Sequence, residues 1–173
     1  KKHNLKISRR TITRWINGVD IYKNSLLEGS IYGVARTFNL VEKVISDNLR
    51  PHNLTPAKFN AMMVIKHKGR NKGISQIDVG RHLVVTASNM TRLMDKLDKE
   101  GFIERLNLEG DRRVNLVKIS KKGSDLLDQL WPGYYKKIQE LAKLLNHDEL
   151  NQLTHVLEKW CGKISKSNFD NRV

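Results

Sequence analysis

The sequence predicts a mainly α-helical chain, with a compact helix-turn-helix head carrying a β-hairpin between long amphipathic helices. Three observations predict it. Residues 74–119 hold two short helical patterns at a tight turn, then a hairpin pattern with Asp111, Arg112 and Arg113 in its second half. Apolar side chains recur at spacings of three and four over about residues 25–50 and 121–165, which is the periodicity of one helix face. The formal charge is +14, and the excess is concentrated: residues 66–122 carry fourteen Lys/Arg against seven Asp/Glu. A helix fits the major groove of DNA and an arginine-bearing hairpin suits the narrower groove beside it. The layout is therefore suited to holding one helix and one basic loop against a nucleic-acid duplex, and the implied partner is double-stranded DNA.

The elements follow in order. Residues 1–24 form a basic N-terminal extension, seven Lys/Arg against Asp20, in which Ile12, Trp15, Ile16 and Val19 have helical spacing. A short amphipathic helix and an unstructured tail are both open there. Leu27, Ile31, Val34, Phe38, Val41 and Ile45 predict a helix ending near Arg50-Pro51, because proline drives the residue before it out of the helical region. Thr55-Pro56 starts the next helix, with Leu54 placed to staple against Phe59; it runs to about Gly69, and GRNKG is a turn. Ser75 caps the first helix of the pair and Asp78 stands where a capping box needs its return partner. Ile77 or Val79, with Leu83, supplies that helix's inner face, and Gly80 suggests a close helix crossing. The turn itself is Val84-Val85, and β-branched residues are poorly suited to positive φ.

The second helix of the pair is expected to begin at an N-cap, Thr86, and to stop at Gly101 in a left-handed C-cap. Met90, Leu93, Met94 and Leu97 form its buried stripe. Ser120 opens a long helix with the stripe Leu127, Trp131, Tyr134, Ile138, Leu141 and Leu145, and Pro132 inside it predicts a kink. Asn146 and Glu149 form a capping-box pattern before the last stripe, Leu150, Leu153, Leu157, Trp160 and Ile164; residues 166–173 are a tail. Stripes of this length exceed what a small head can cover. Packing on one another and packing on a partner are the alternatives, and a homodimer is preferred because two-fold symmetry sets two such helix pairs on one face.

Thr86, Ala87, Ser88, Asn89, Thr91 and Arg92 fall at or near the start of the second helix, off its buried stripe, with Lys96 a turn further on. Asn bonds an adenine edge and Arg a guanine edge, each such pair discriminating by about 1–3 kcal/mol. Arg112, Lys118 and the basic extension suit phosphates. Arg113, after the Gly110-Asp111 turn, suits a narrow A·T-rich minor groove, and Asp111 suits holding the loop rather than meeting DNA. Tyr32, Phe38, Met62, Met63, Trp131 and Tyr134 are candidates to line a pocket for a small phenolic or apolar effector, against the plainer reading of them as helix core.

Other chemistry is faint. Cys161 is the single cysteine, so no internal disulfide forms, and its place beside Trp160 suggests packing. His147 and His155 lie eight residues apart without a metal-ligand partner, and His52, His67 and His82 are scattered. No nucleophile elbow, phosphate-binding glycine loop or paired-histidine motif is present, so an enzyme and a cofactor are not expected. No apolar run suggests a secretory signal or a membrane span, and a cytoplasmic location is expected.

Four segments in register, LTPAKFNAMMVI, ISQIDVGRHL, MTRLMDKLDKEGFIER and DRRVNLVKISKKG, resemble the MarR family of bacterial and archaeal regulators, from about residue 25 to about residue 165. The resemblance implies a winged-helix homodimer, usually a repressor of transcription, that binds a pseudo-palindromic operator. It implies a DNA-binding head at about residues 54–120, dimerisation helices at about 25–50 and 121–165, and effector pockets near their junction. It also implies that Arg113 enters the minor groove while Asp111 orients the wing. Gly80 stands where the family commonly has alanine and Val84 where it often has glycine. Two other readings compete. A non-specific architectural DNA-binding protein would need only Lys and Arg where Ser88 and Asn89 stand, and a protein-interaction module has no use for the clustered arginines.

Overall fold

The computed structural model describes residues 26–83, 87–106 and 116–167, and the backbone alone of Ala87 and Ser88. The chain divides into two compact units, Lys1–Val44 and Ile45–Val173. The described part of the first unit is helical: α1, Leu26–Leu49, begins there and its last turn belongs to the second unit. Along α1 the stripe residues Leu27, Ile31, Val34 and Phe38 are exposed in the single chain.

In the second unit α1 ends at Leu49, next to the expected Arg50-Pro51 boundary, and gives way to a 3₁₀ turn, Arg50–His52, that contains Pro51. Helix α2, Pro56–Val64, follows with proline in its first turn and Thr55 Oγ1 accepting from the Lys58 amide at 3.3 Å. Its end widens into a π-turn, Ile65–Gly69, which the sequence did not announce. Strand β1, Ile74–Ser75, leads into α3, Gln76–His82, then α4, Ala87–Lys99. Strands β2, Ile103–Leu106, and β3, Leu116–Ile119, precede α5, Lys121–Ala142, and α6, His147–Ser165.

The expected hairpin is present as β2 and β3, but β1 adds a third antiparallel strand on the far side of β3, giving the order β1-β3-β2. The register pairs Ile74 with Val117, Ile103 with Ile119, and Arg105 with Val117. Residues directly opposite share a sheet face. Ile74, Ile103 and Val117 are buried, so this face looks into the core and Arg105 emerges on the same side.

The core is contiguous and lies in the head: Leu49, Leu54, Phe59, Met62 and Ile65 meet Val79, Met90, Met94, Leu97, Ile103, Val117, Leu127 and Leu130. Val79, not Ile77, supplies the inner face of α3; Ile77 is 71% exposed. Phe59 of α2 and Tyr134 of α5 bring their rings to 4.6 Å, and Lys66 reaches Asp128 at 2.6 Å, which holds α2 against α5. Helix α5 continues through Pro132.

Every helix start that sequence placed among the described residues is capped. Ser75 Oγ accepts from the Asp78 amide at 3.0 Å, and its hydroxyl donates to the Asp78 carboxylate at 2.7 Å. The return bond of a capping box would come from the Ser75 amide, so here it is made by the hydroxyl instead. At α6 the box is complete: the Asn146 amide donates to Glu149 and the Glu149 amide to Asn146, at 2.8 and 2.9 Å.

Two glycines have different meanings. Among the described residues a β-carbon at Gly80 would touch only Met90 Cε, at 3.7 Å, so they do not demand glycine at this crossing. A β-carbon at Gly123 would overlap the Phe102 carbonyl oxygen and come within 2.9 Å of Ile119 Cδ1. Urea unfolding should therefore show Gly80→Ala gaining about 0.5–1 kcal/mol from helix propensity. Gly123→Ala should lose about 3 kcal/mol, since backbone must shift to admit one methyl. Equal effects of the two would contradict this packing.

Candidate nucleic-acid interface

Helix α4 presents three faces, set by about 100° per residue. Met90, Met94 and Leu97 are buried, with Leu93 at their margin. Asn89, Arg92 and Lys96, three and four apart, form a second face and all are exposed. Thr91, Asp95 and Asp98 form the third, about a third of a turn from each of the others. The side that could meet a base edge thus carries an amide and two cations, and the acids point elsewhere.

Those acids are paired. The Arg105 guanidinium donates to Asp98 Oδ2 at 2.9 Å through Nε and to Asp95 through Nη2. Lys58 of α2 holds the Glu100 carboxylate at 2.5 and 2.7 Å. Arg92 and Lys96 make no ion pair among the described residues, so their charge faces solvent. A face of unneutralised cations beside neutralised acids is the electrostatic character of a phosphate-facing surface.

The far end of α4 is pinned. Gly101 takes φ +74° and the chain closes with Gly101 N–H to Asp98 O at 2.8 Å and Phe102 N–H to Leu97 O at 2.9 Å, a Schellman motif. The Ser120 hydroxyl donates to Gly101 O at 2.7 Å and accepts from the Gly123 amide at 3.0 Å. The Ser120 amide donates to Phe102 O at 3.0 Å. One residue therefore ends α4, closes β3 and starts α5.

At α3, the hydrogen bond from Ser75 holds the Asp78 carboxyl below the ordinary carboxylate range, against an opposing effect of burial, and the neighbouring Arg81 guanidinium adds to the lowering. Lys118 lies on the outer sheet face, half-buried and opposite Glu104 in register. Thr86, Asp111, Arg112 and Arg113 lie outside the described residues, as do Val84, Val85 and the basic extension, and of Ala87 and Ser88 only the helical backbone is described.

The residues suggested for an effector pocket divide between the two units, Tyr32 and Phe38 in the first and Met62, Met63, Trp131 and Tyr134 in the second. Met62 is fully buried in the head core, with Met63 packed against it. Tyr134 rests on Phe59, and burial pushes its phenol pKa up. Trp131 is 42% exposed, 5.7 Å from the Tyr134 ring and 6.1 Å from Tyr135. Phe38 is exposed on α1 and Tyr32 half-buried there. An open groove lies elsewhere, lined by Phe102, Lys121, Lys122, Asp125, Leu126 and Gln129. Cys161 is exposed in the single chain, on a helix, α6, that buries no residue in one copy. His52, His67, His82, His147 and His155 are all exposed. Among the described residues no cluster of His, Cys, Asp and Glu is placed to hold a metal, and no helix is long and apolar enough to cross a membrane.

The set Arg105, Asp95 and Asp98 was not anticipated. Its signal was nevertheless in the sequence: Asp95 and Asp98 share a helix face, and Arg105 has the inward parity of Ile103.

A model of the MarR family matches residues 54–114. The chain is 31% identical over 120 residues to the multiple antibiotic resistance protein MarR of Salmonella typhimurium, an alignment covering 68% of the chain and 81% of that protein. It is 25% identical over 126 residues to the HTH-type transcriptional regulator MhqR of Bacillus subtilis, covering 73% and 85%. A crystal structure of a mutant MarR from Escherichia coli complexed with operator DNA superposes with a TM-score of 0.66 at 28% identity, covering 78% of the chain and 98% of that one. The three-stranded winged head, the polar outer face of α4 and these likenesses agree: the chain belongs to the MarR family of winged-helix transcriptional regulators.

Proposed function

We propose that this regulator represses transcription by binding, as a homodimer, a pseudo-palindromic operator, with α4 in the major groove and the wing in the minor groove beside it. The observation that carries the proposal is the outer face of α4, where Asn89, Arg92 and Lys96 stand together, exposed, while the helix's acids are turned aside and neutralised. Asn89 and Arg92 read bases, with Ala87 and Ser88 at the same helix start; Lys96, Arg112 and Lys118 engage phosphates; Arg113 enters the minor groove, and Asp111 steadies the wing. A dimer seated across two half-sites covers duplex that polymerase needs, which is repression by occlusion.

The proposed division assigns the head to about residues 54–120 and dimerisation to about 25–50 and 121–165. It is supported by α6, which has no buried residue and leaves Leu153, Val156 and Ile164 at 44–56% exposure. Apolar surface of that extent calls for a partner. Release by a small phenolic or apolar effector belongs to the same proposal, and Trp131 beside Tyr134 is the aromatic surface that supports it.

Sedimentation at micromolar concentration should give twice the chain's 20.0 kDa; a stable monomer would remove both the interface and the two-half-site model. Selection from a random duplex pool should return an inverted repeat with half-sites about one helical turn apart. An unselective pool would mean architectural binding instead. Asn89→Ala and Arg92→Ala should each alter the selected consensus, at a cost of about 1–3 kcal/mol per lost bidentate contact. Lys118→Ala should instead weaken all duplexes alike and lower the salt slope by about one unit. Arg113→Ala should lose more affinity on A·T-rich than on G·C-rich flanks; small, equal losses on both would reduce the wing to a spacer.

A further inference from the structure

We propose that Arg105 is the positioning residue that fixes the orientation of α4 against β2, so that the polar face of α4 is presented to a half-site at one angle. The inference rests on the DNA-reading role assigned to α4 above and concerns residues that role does not use.

Arg105 stands on β2, directly opposite Val117, with its side chain on the core-facing side of the sheet. Beyond the edge of the apolar core it turns to α4 and spans two carboxylates one helical turn apart, Asp98 through Nε at 2.9 Å and Asp95 through Nη2. Two anchors on a planar fork define an orientation, whereas a single ion pair defines only a distance. Any rotation of α4 about its axis, or tilt of β2 away from it, breaks one of the two bonds.

The exposures argue for geometry rather than stability. Arg105, Asp95 and Asp98 side chains are 34%, 59% and 42% exposed, and ion pairs as open as these add little to folding. The core face of α4 already holds the helix in place through Met90, Met94 and Leu97, but flexible methionine and leucine side chains allow small rotations. A misplacement of about 1 Å is enough to spoil directional contacts. The placement of the acids is also telling. Two aspartates on a helix that meets a polyanion oppose binding by charge alone, and they lie on the face that meets Arg105, not on that of Asn89, Arg92 and Lys96.

The test compares the wild-type chain with Asp95→Asn/Asp98→Asn, Arg105→Lys and Arg105→Met. Each is titrated, over a range of salt, on the operator recovered by selection and on a scrambled duplex of equal length and composition. The double variant should bind the scrambled duplex more tightly, because two negative charges have left α4. Its preference for operator should nevertheless fall about tenfold, comparable to the loss of one base contact. Arg105→Lys, which keeps the charge and loses the fork, should lose selectivity in the same direction with its salt slope unchanged. Thermal midpoints should move by only a few degrees, since no buried side chain changes.

Tighter binding of both duplexes by one common factor, with selectivity intact, would overturn the proposal. So would a salt slope about one unit lower in Arg105→Met, which would make Arg105 a direct phosphate ligand. If Arg105→Met does not fold, the aspartate pair decides alone. A wild-type chain that prefers no duplex would overturn the regulator reading itself, an outcome distinct from failure of the clamp.

Discussion

Burial of one face of α4 is the constraint on which the rest of the head depends. Met90, Met94 and Leu97 are 0–6% exposed, and each carries stabilisation of about 1.5–3 kcal/mol that would be lost if the helix turned outward. With that face fixed, helix geometry leaves no choice about the others: Asn89, Arg92 and Lys96 must look out, and Asp95 and Asp98 must look sideways to β2. The polar face needs no stabilisation of its own. It is held in place by what lies behind it, and its residues are free to be chosen for what they touch.

The other end of α4 shows how position is handed on. Ser120 receives the Gly123 amide, donates to Gly101 O, and directs its own amide to Phe102 O. Gly123 has no side chain because the first turn of α5 lies directly on the Phe102 carbonyl. The start of the long helix and the end of α4 thus share hydrogen bonds and have no room for slack. Lys122 adds to the junction, donating to Glu100 O at 2.7 Å and lying 4.9 Å over the Phe102 ring. Movement at the start of α5 is therefore movement at the end of α4.

Charge follows the same economy. The available positive charge of the head is not spread evenly, because several of its cations are paired with acids: Lys58 with Glu100, Lys66 with Asp128, Arg81 with Asp78, Arg105 with two aspartates. Exposed pairs of this kind contribute little to stability individually. Their effect is to neutralise negative charge, and among the described residues Arg92 and Lys96 have no carboxylate partner. Net charge by itself would not reveal which cations are available.

What the sequence determined by itself was everything governed by local rules. Helix periodicity gave the stripes, and capping chemistry gave the starts at Thr55, Ser75, Ser120 and Asn146 and the stop at Gly101. Spacing along α4 separated its buried and polar faces. Tertiary structure decided the features that rest on non-local contacts. Strand β1 is two residues long and exists only because β3 offers it a partner, so no periodicity could announce it. Val79 rather than Ile77 faces inward, and the requirement for glycine falls on Gly123 rather than Gly80, because each depends on what another segment places nearby. The apolar stripe of α6 was legible by pattern, but only the fold shows that a single chain buries none of its residues fully and leaves Leu153, Ile164 and Cys161 exposed. The Arg105 fork joins residues seven and ten positions apart across a turn, and only the packing of β2 on α4 brings its two acids to one guanidinium.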